Sequence, residues 1–151
     1  MPLGAFKAAL MGTAGVSTGD VVLLSSQTAS NSATISFTSG IDSTYGEYIF
    51  KFYNIGPATN NVSLTFQCNA TDSTSYDEAI VSTAFGSYNY ESGGTPALGY
   101  AGNEDQVGTA YQKLAYEIGN GSDECCAGTM WLFNPSNTTY VTHFYSAVKI
   151  T

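Results

Sequence analysis

The chain has 151 residues, which suits one domain with a substantial core. Charged residues make up only 11% of it, against roughly 25% in an average soluble protein. Twelve acids against four lysines give a net charge of −8, which argues against nucleic acid or an anionic membrane as partner, because both need a basic surface. No apolar run reaches the roughly 18–20 residues of a membrane helix.

The first 18 residues are predicted to form an arm or a short helix. Leu3, Phe6 and Leu10 approximate helical spacing, and glycines then interrupt the pattern. No basic residue precedes the apolar part, so the segment is predicted to be retained and not cleaved as a signal peptide. An apolar arm must be buried on its own domain or on a neighbouring subunit. The candidate assembly residues are Leu3, Phe6, Leu10 and Met11.

From residue 19 onward the pattern has a period of two residues, which is typical of strands. Val21–Leu24 is predicted to be a buried strand, and Ser32–Thr38 alternates apolar and polar residues. A turn separates them from an aromatic strand over residues 47–55. The segment 61–68 has the most regular alternation in the chain.

The second half continues in the same way. Ile80–Tyr88 is predicted to be a strand, and residues 91–108 a long glycine-rich connection of the kind that often makes contacts. The spacing in residues 109–119 suits a helix or a strand, and its neighbours favour a strand. The strands Gly128–Phe133 and Thr139–Lys149 form a predicted hairpin around Pro135.

About eight strands with regular turn signals predict an all-β protein. The expected architecture is a single antiparallel β-sandwich, jelly-roll-like in connectivity, with a short N-terminal arm or helix. The predicted organisation is therefore an arm over residues 1–18 and a β-sandwich domain over residues 19–151.

The sequence shows no catalytic motif. His143 is the single histidine, and it lies on a predicted strand where hydrogen bonding would satisfy it. The chain has an odd number of cysteines, at 68, 125 and 126. They are interpreted as free thiols, or as one disulfide from Cys68 to Cys125 or Cys126 with the third cysteine free. The chain is accordingly predicted not to be an enzyme and to use no cofactor or metal.

The acidic residues fall mostly in predicted loops, where they are usually solvated. The segments 102–106 and 119–124 offer oxygen ligands for calcium, but neither matches a known calcium loop. Paired carboxylates across a groove would permit glycoside hydrolysis, which makes a hydrolase the most distant alternative.

Three longer segments resemble sequences of a known group. They are GVSTGDVVLLSSQTASNSATISFTSGIDSTYGEYIFKFYNIGPAT, SYNYESGGTPALGY and GTMWLFNPSNTTYVTHFYS. Together they resemble small virion structural proteins of marine and freshwater tailed phages. The resemblance implies a virion component, a capsid decoration or cement protein or a tail-associated assembly component, made in the host cytoplasm.

The expected partners are copies of the chain itself or other virion proteins, which commonly lie on symmetric lattices. The candidate loop contacts are Tyr90, Tyr100, Glu104, Asp105, Asp123 and Glu124. Two alternatives remain open. A carbohydrate- or receptor-binding module of a tail fibre would cluster exposed aromatic residues on one face, whereas an extracellular filament subunit would insert an arm or edge strand into the next copy.

Overall fold

The computed structural model describes residues 21–70, 74–89 and 93–151. Its contacts divide the chain into two units, Met1–Gly40 and Ile41–Thr151. The predicted boundary between residues 18 and 19 lies outside the described residues, as does the predicted arm. All strands of the described residues belong to the second unit.

The described part of the first unit, residues 21–40, corrects two predicted strands. Neither Val21–Leu24 nor Ser32–Thr38 is a strand in this structure. Val21 and Leu23 are about four-fifths exposed, at 78% and 81%, and are not buried. The Gln27 side chain donates a hydrogen bond to the Ser36 carbonyl at 2.8 Å. This carbonyl is therefore bonded to a side chain and not to the backbone of a neighbouring strand. Alternation signals an extended segment, but a strand also needs a hydrogen-bonded neighbour.

The second unit is built from nine strands in antiparallel pairs, and no helix occurs in the described residues. The strands are β1 (Glu47–Ile55), β2 (Val62–Phe66), β3 (Ile80–Val81), β4 (Phe85–Tyr88), β5 (Ala97–Tyr100), β6 (Val107–Gly108), β7 (Gln112–Ile118), β8 (Cys126–Phe133) and β9 (His143–Ile150). The predicted all-β class is confirmed.

The strand pairing is nested. β1 pairs with β8, β2 with β7, β3 with β6 and β4 with β5, while β9 adds to the free side of β8. This is the order produced when one long antiparallel hairpin, with its tip between β4 and β5, is rolled up into a jelly roll. The predicted antiparallel β-sandwich is confirmed, and β9 is an outer strand of its β1–β8–β9 sheet.

The core lies between the three-stranded sheet β1–β8–β9 and the β2–β7 pair. Its centre is formed by Ala115, Ile118 and Cys126, none of which is more than 2% exposed. A second contact between the sheets is the edge-to-face pair of Phe66 and Phe144, whose ring centroids are 5.0 Å apart. The half-buried side chains around the centre are Ile55, Leu64, Val148 and Ile150.

The structure divides the predicted strand Ile80–Tyr88 into β3 and β4. The interruption is held by side-chain bonding, because the Ser82 hydroxyl accepts a hydrogen bond from the Gln106 backbone N–H at 2.9 Å. The predicted glycine-rich connection contains both β5 and β6. These strands were not predicted, because their apolar segments are short. The predicted turn at Pro135 is confirmed by a 3.1 Å bond from the Asn137 N–H to the Asn134 carbonyl.

The three cysteines are free thiols in the structure. Cys126 is fully buried, and burial is the main cause that raises the pKa of its thiol. Burial also raises the pKa of the half-buried Cys68, with a further contribution from Glu78. A thiolate is the reactive form, so both thiols should react slowly.

We expect Cys126 to react with a disulfide reagent only after unfolding. Titration of the native protein at mildly alkaline pH should consume at most two thiols, and denaturant should release the third. Replacing Cys126 by serine identifies the delayed thiol. Rapid reaction of three thiols in the native protein would contradict the buried position of Cys126.

Within the described residues, no helix is long and apolar enough to span a membrane.

Candidate interaction surfaces

The tip of the rolled hairpin exposes apolar side chains on one face of the β4–β5 pair. We call Phe85, Leu98 and Tyr100 the tip surface. They are 75%, 81% and 58% exposed. Phe85 is the register partner of Tyr100, and Leu98 lies opposite Ser87, two residues further along the same face. The rings of Phe85 and Tyr100 meet edge to face at 6.1 Å. The neighbouring β3–β6 pair exposes Val81 and Val107 as well, each 79% accessible.

Of the predicted loop contacts, Tyr100 belongs to this surface, and Glu104 and Asp105 lie in the loop that follows β5. The Tyr100 hydroxyl donates a hydrogen bond to the Asp105 carboxylate, and this bond is the main cause that raises the pKa of Tyr100. Glu104 is half-buried, and its burial raises the pKa of its carboxyl, partly opposed by Lys113. The loop after β5 is therefore held close to the strand that it follows. Tyr90 lies outside the described residues.

A buried glutamine attaches that loop to the core. Gln112, at the start of β7, is only 4% exposed. Its amide N–H₂ donates to the carbonyls of Glu104 and Lys113, both at 2.7 Å, and its amide oxygen accepts from the Ser82 hydroxyl. Ser82 precedes β4 and Glu104 follows β5, so Gln112 holds both sides of the tip. The sequence pattern did not identify Gln112, because a buried glutamine in a strand cannot be told from an exposed polar strand residue by its spacing.

Asp123 and Glu124 lie in a different turn, before β8. The Glu124 carboxylate accepts the Gly121 backbone N–H at 2.6 Å, so it caps its own turn. Asp123 is exposed. Among the described residues, no group of three or more histidine, cysteine, aspartate or glutamate side chains is placed to hold a metal ion. Asp123 and Glu124 therefore belong to a different turn from the loop of Glu104 and Asp105.

The outward face of the β1–β8–β9 sheet is a second surface, which the sequence interpretation missed. Ile49, Trp131 and Tyr145 form one row across the three strands. The rings of Trp131 and Tyr145 are 5.3 Å apart at their centroids and tilted by 34°. Ile49 is 40% and Tyr145 60% exposed. Outward strand positions are usually polar, so aromatic residues in that phase of β8 and β9 were the available signal.

Next to the aromatic row, the same face has a shallow trough of about 540 Å³. Small side chains form its floor, namely Ala127, Thr129 and Ala147, and exposed Lys51 and Lys149 border it. His143 is exposed at the other end of β9, in register with Phe133.

The candidate assembly residues Leu3, Phe6, Leu10 and Met11 lie outside the described residues. Comparison of the chain with models of protein families, with curated proteins and with solved structures found no match.

Proposed function

We propose that this protein is a non-enzymatic structural subunit of a tailed-phage virion, either a capsid decoration protein or a tail-associated assembly component. Its partners are copies of itself or other virion proteins, and it acts on the extracellular particle after synthesis in the host cytoplasm. The resemblance of three sequence segments to phage virion proteins is the basis for the origin.

The observation that carries the assembly role is the tip surface. Monomeric proteins rarely leave large apolar side chains exposed together, and such groups mark contact sites. Phe85, Leu98 and Tyr100 project from a hairpin, and their register holds them in one cluster. Aromatic residues are also enriched in the cores of protein interfaces. A second copy or another virion protein would cover this surface.

The same hairpin is suited to a contact role mechanically. Gln112 attaches both sides of the tip to β7, so the apolar cluster is presented on a fixed support. A fixed surface loses less entropy on association than a loop that must first be ordered. The residues of the predicted arm, Leu3, Phe6, Leu10 and Met11, remain a proposed second attachment element.

The mass of the protein in solution tests the proposal. We expect the full chain to form a defined oligomer and the variant F85S/L98S to sediment as a monomer, because two of the largest exposed apolar side chains are removed. The matched control is Y140S/V141S. It also removes one aromatic and one aliphatic side chain, 75% and 78% exposed, but from the connection before β9. This control should keep the oligomer.

Two outcomes would contradict self-association through the tip surface. One is a full-length protein that stays monomeric at about 100 µM, far above the dissociation constant of a specific complex. The other is equal dissociation of the tip variant and the control. A chain lacking residues 1–15, measured beside them, tests the arm separately: an unchanged oligomer would remove the arm from the proposal without affecting the tip.

A further inference from the structure

We propose that the outward face of the β1–β8–β9 sheet binds an acidic polysaccharide, a chain of sugar rings that carry carboxylate groups. This inference does not rest on the assembly role, because its residues lie on β1, β8 and β9, although Lys149 also borders a recess that Leu98 of the tip surface lines.

The aromatic row supplies the part that recognises a sugar. The exposed sides of Trp131 and Tyr145 are amphipathic plates, and the C–H face of a pyranose packs on such rings while its hydroxyls stay in water. The two rings pack against each other, with centroids 5.3 Å apart and planes tilted by 34°, so the platform offered to a ligand is formed by their outer edges and by Tyr145, which is 60% exposed. Ile49 extends the platform across β1, where it is the register partner of Trp131.

The trough supplies space and charge directly beside the platform. Thr129 lies two residues before Trp131, and Ala147 two residues after Tyr145. Both therefore occupy the next position of the same face, since outward residues recur every second position. The small floor leaves the backbone surface open for a ligand to lie along it. A volume of about 540 Å³ falls within the range of pockets that hold small molecules, and the open shape suits a segment of a longer chain.

Two lysines on opposite edges of this trough give it the opposite sign to the rest of the protein. Lys51 on β1 pairs in register with Thr129, and Lys149 on β9 with Ala127. Two strand spacings and a two-residue offset put their Cα atoms about 12 Å apart. The chain has four basic side chains against twelve acids, and half of the basic ones border this trough.

The acidic residue in the strands of this sheet, Glu47, does not neutralise the two lysines. Glu47 is the only acidic residue in β1, β8 and β9, and it pairs with Phe133 at the end of the sheet remote from Lys149. Carboxylates on successive rings of one polysaccharide chain could therefore meet both ammonium groups while another ring packs against the exposed Tyr145. Nucleic acid is disfavoured because the net charge of −8 repels a dense row of phosphates.

Affinity electrophoresis of the full chain through gels containing polygalacturonate tests the proposal. We expect this acidic polymer to retard the protein and neutral dextran to leave it unretarded. The variant K51Q/K149Q should bind polygalacturonate about tenfold more weakly, since it loses both charged contacts. The variant Y145S should also bind more weakly, although its net charge is unchanged. Retardation should decline as salt rises through 0.1 M, where screening limits the electrostatic attraction to about 10 Å.

The control is K113Q, which removes one positive charge from outside the trough and is compared with the single variants K51Q and K149Q. Lys113 is bonded to the Asn103 carbonyl on another part of the molecule, and thermal melting checks that each variant is folded. Preserved binding by this control, with loss in K51Q and in K149Q, supports the site. Equal loss in the control and in these two variants, no retardation of the wild type, or equal retardation by polyglutamate would each overturn the assignment to an acidic sugar chain.

Discussion

Replacing Gly128 by valine is expected to lower the free energy of unfolding by about 3 kcal/mol or more, at the upper end of the cost of overpacking a core. Gly128 lies in the middle strand β8, between Phe52 on β1 and Val148 on β9. A Cβ atom at this position would lie 2.5 Å from the Ala147 carbonyl oxygen and 2.8 Å from the Val148 Cα. Both are backbone atoms, so the clash cannot be relieved by a change of rotamer.

Urea denaturation measures this effect, with the fluorescence of the single tryptophan, Trp131, as the probe in the same sheet. The matched control is Gly99→Val in β5, where an added Cβ meets no atom within 4 Å. The control should change stability by less than about 1 kcal/mol, because β-branched residues suit strands and glycine does not. A G128V protein as stable as the G99V protein would show that β9 does not approach β8 as closely as described.

Replacing Gln112 by methionine is expected to cost about 1–3 kcal/mol, although the two side chains are similar in size. The change removes the amide that satisfies the carbonyl of Glu104 and the hydroxyl of Ser82, and a buried polar group without a partner loses its solvation uncompensated. Because these partners flank the tip, the loss should be local as well as global.

Hydrogen exchange separates the two effects. In Q112M, the Ser82 and Gln106 amides should exchange faster than in the wild type, relative to amides in the centre of β8. Both amides now donate within this junction, to Gln106 O and to the Ser82 hydroxyl, each at 2.9 Å. The control Q27M removes an exposed glutamine with one hydrogen bond and should alter neither measurement. Uniform acceleration in all strands would instead mean that Gln112 stabilises the fold without a special role at the tip.

The strands with long alternating patterns were predictable from sequence. The predicted segment 47–55 coincides with β1, and the predicted hairpin around Pro135 corresponds to β8 and β9 with end differences of a few residues. In these segments the alternation was dense enough to indicate both the strand and its inward face. The jelly-roll-like arrangement followed from strand number and turn spacing, which limit how an all-β chain can bury its apolar faces.

The sequence was less informative where pairing partners or side-chain bonds decide the structure. Residues 32–38 alternate clearly yet have no ladder, whereas the two-residue strands β3 and β6 pair without any detectable period. Tyr100, Glu104 and Asp105 were predicted as loop contacts; one hydrogen bond joins Tyr100 to Asp105, and the Glu104 carbonyl is bonded to Gln112. The lysine-bordered trough depends on neighbours from three strands, so no single segment could indicate it.

The nested pairing has a consequence for how the protein folds during synthesis. β1 cannot pair until β8 has been synthesised, because six other strands separate the two in the chain. At a translation rate of roughly 5–20 residues per second, that interval lasts on the order of several seconds. Throughout it, the aromatic sequence EYIFKFYNI has no ladder partner of its own. Pairings so distant in sequence also slow folding, to roughly the millisecond-to-second range. The aromatic segment is therefore exposed to aggregation until β8 has been synthesised.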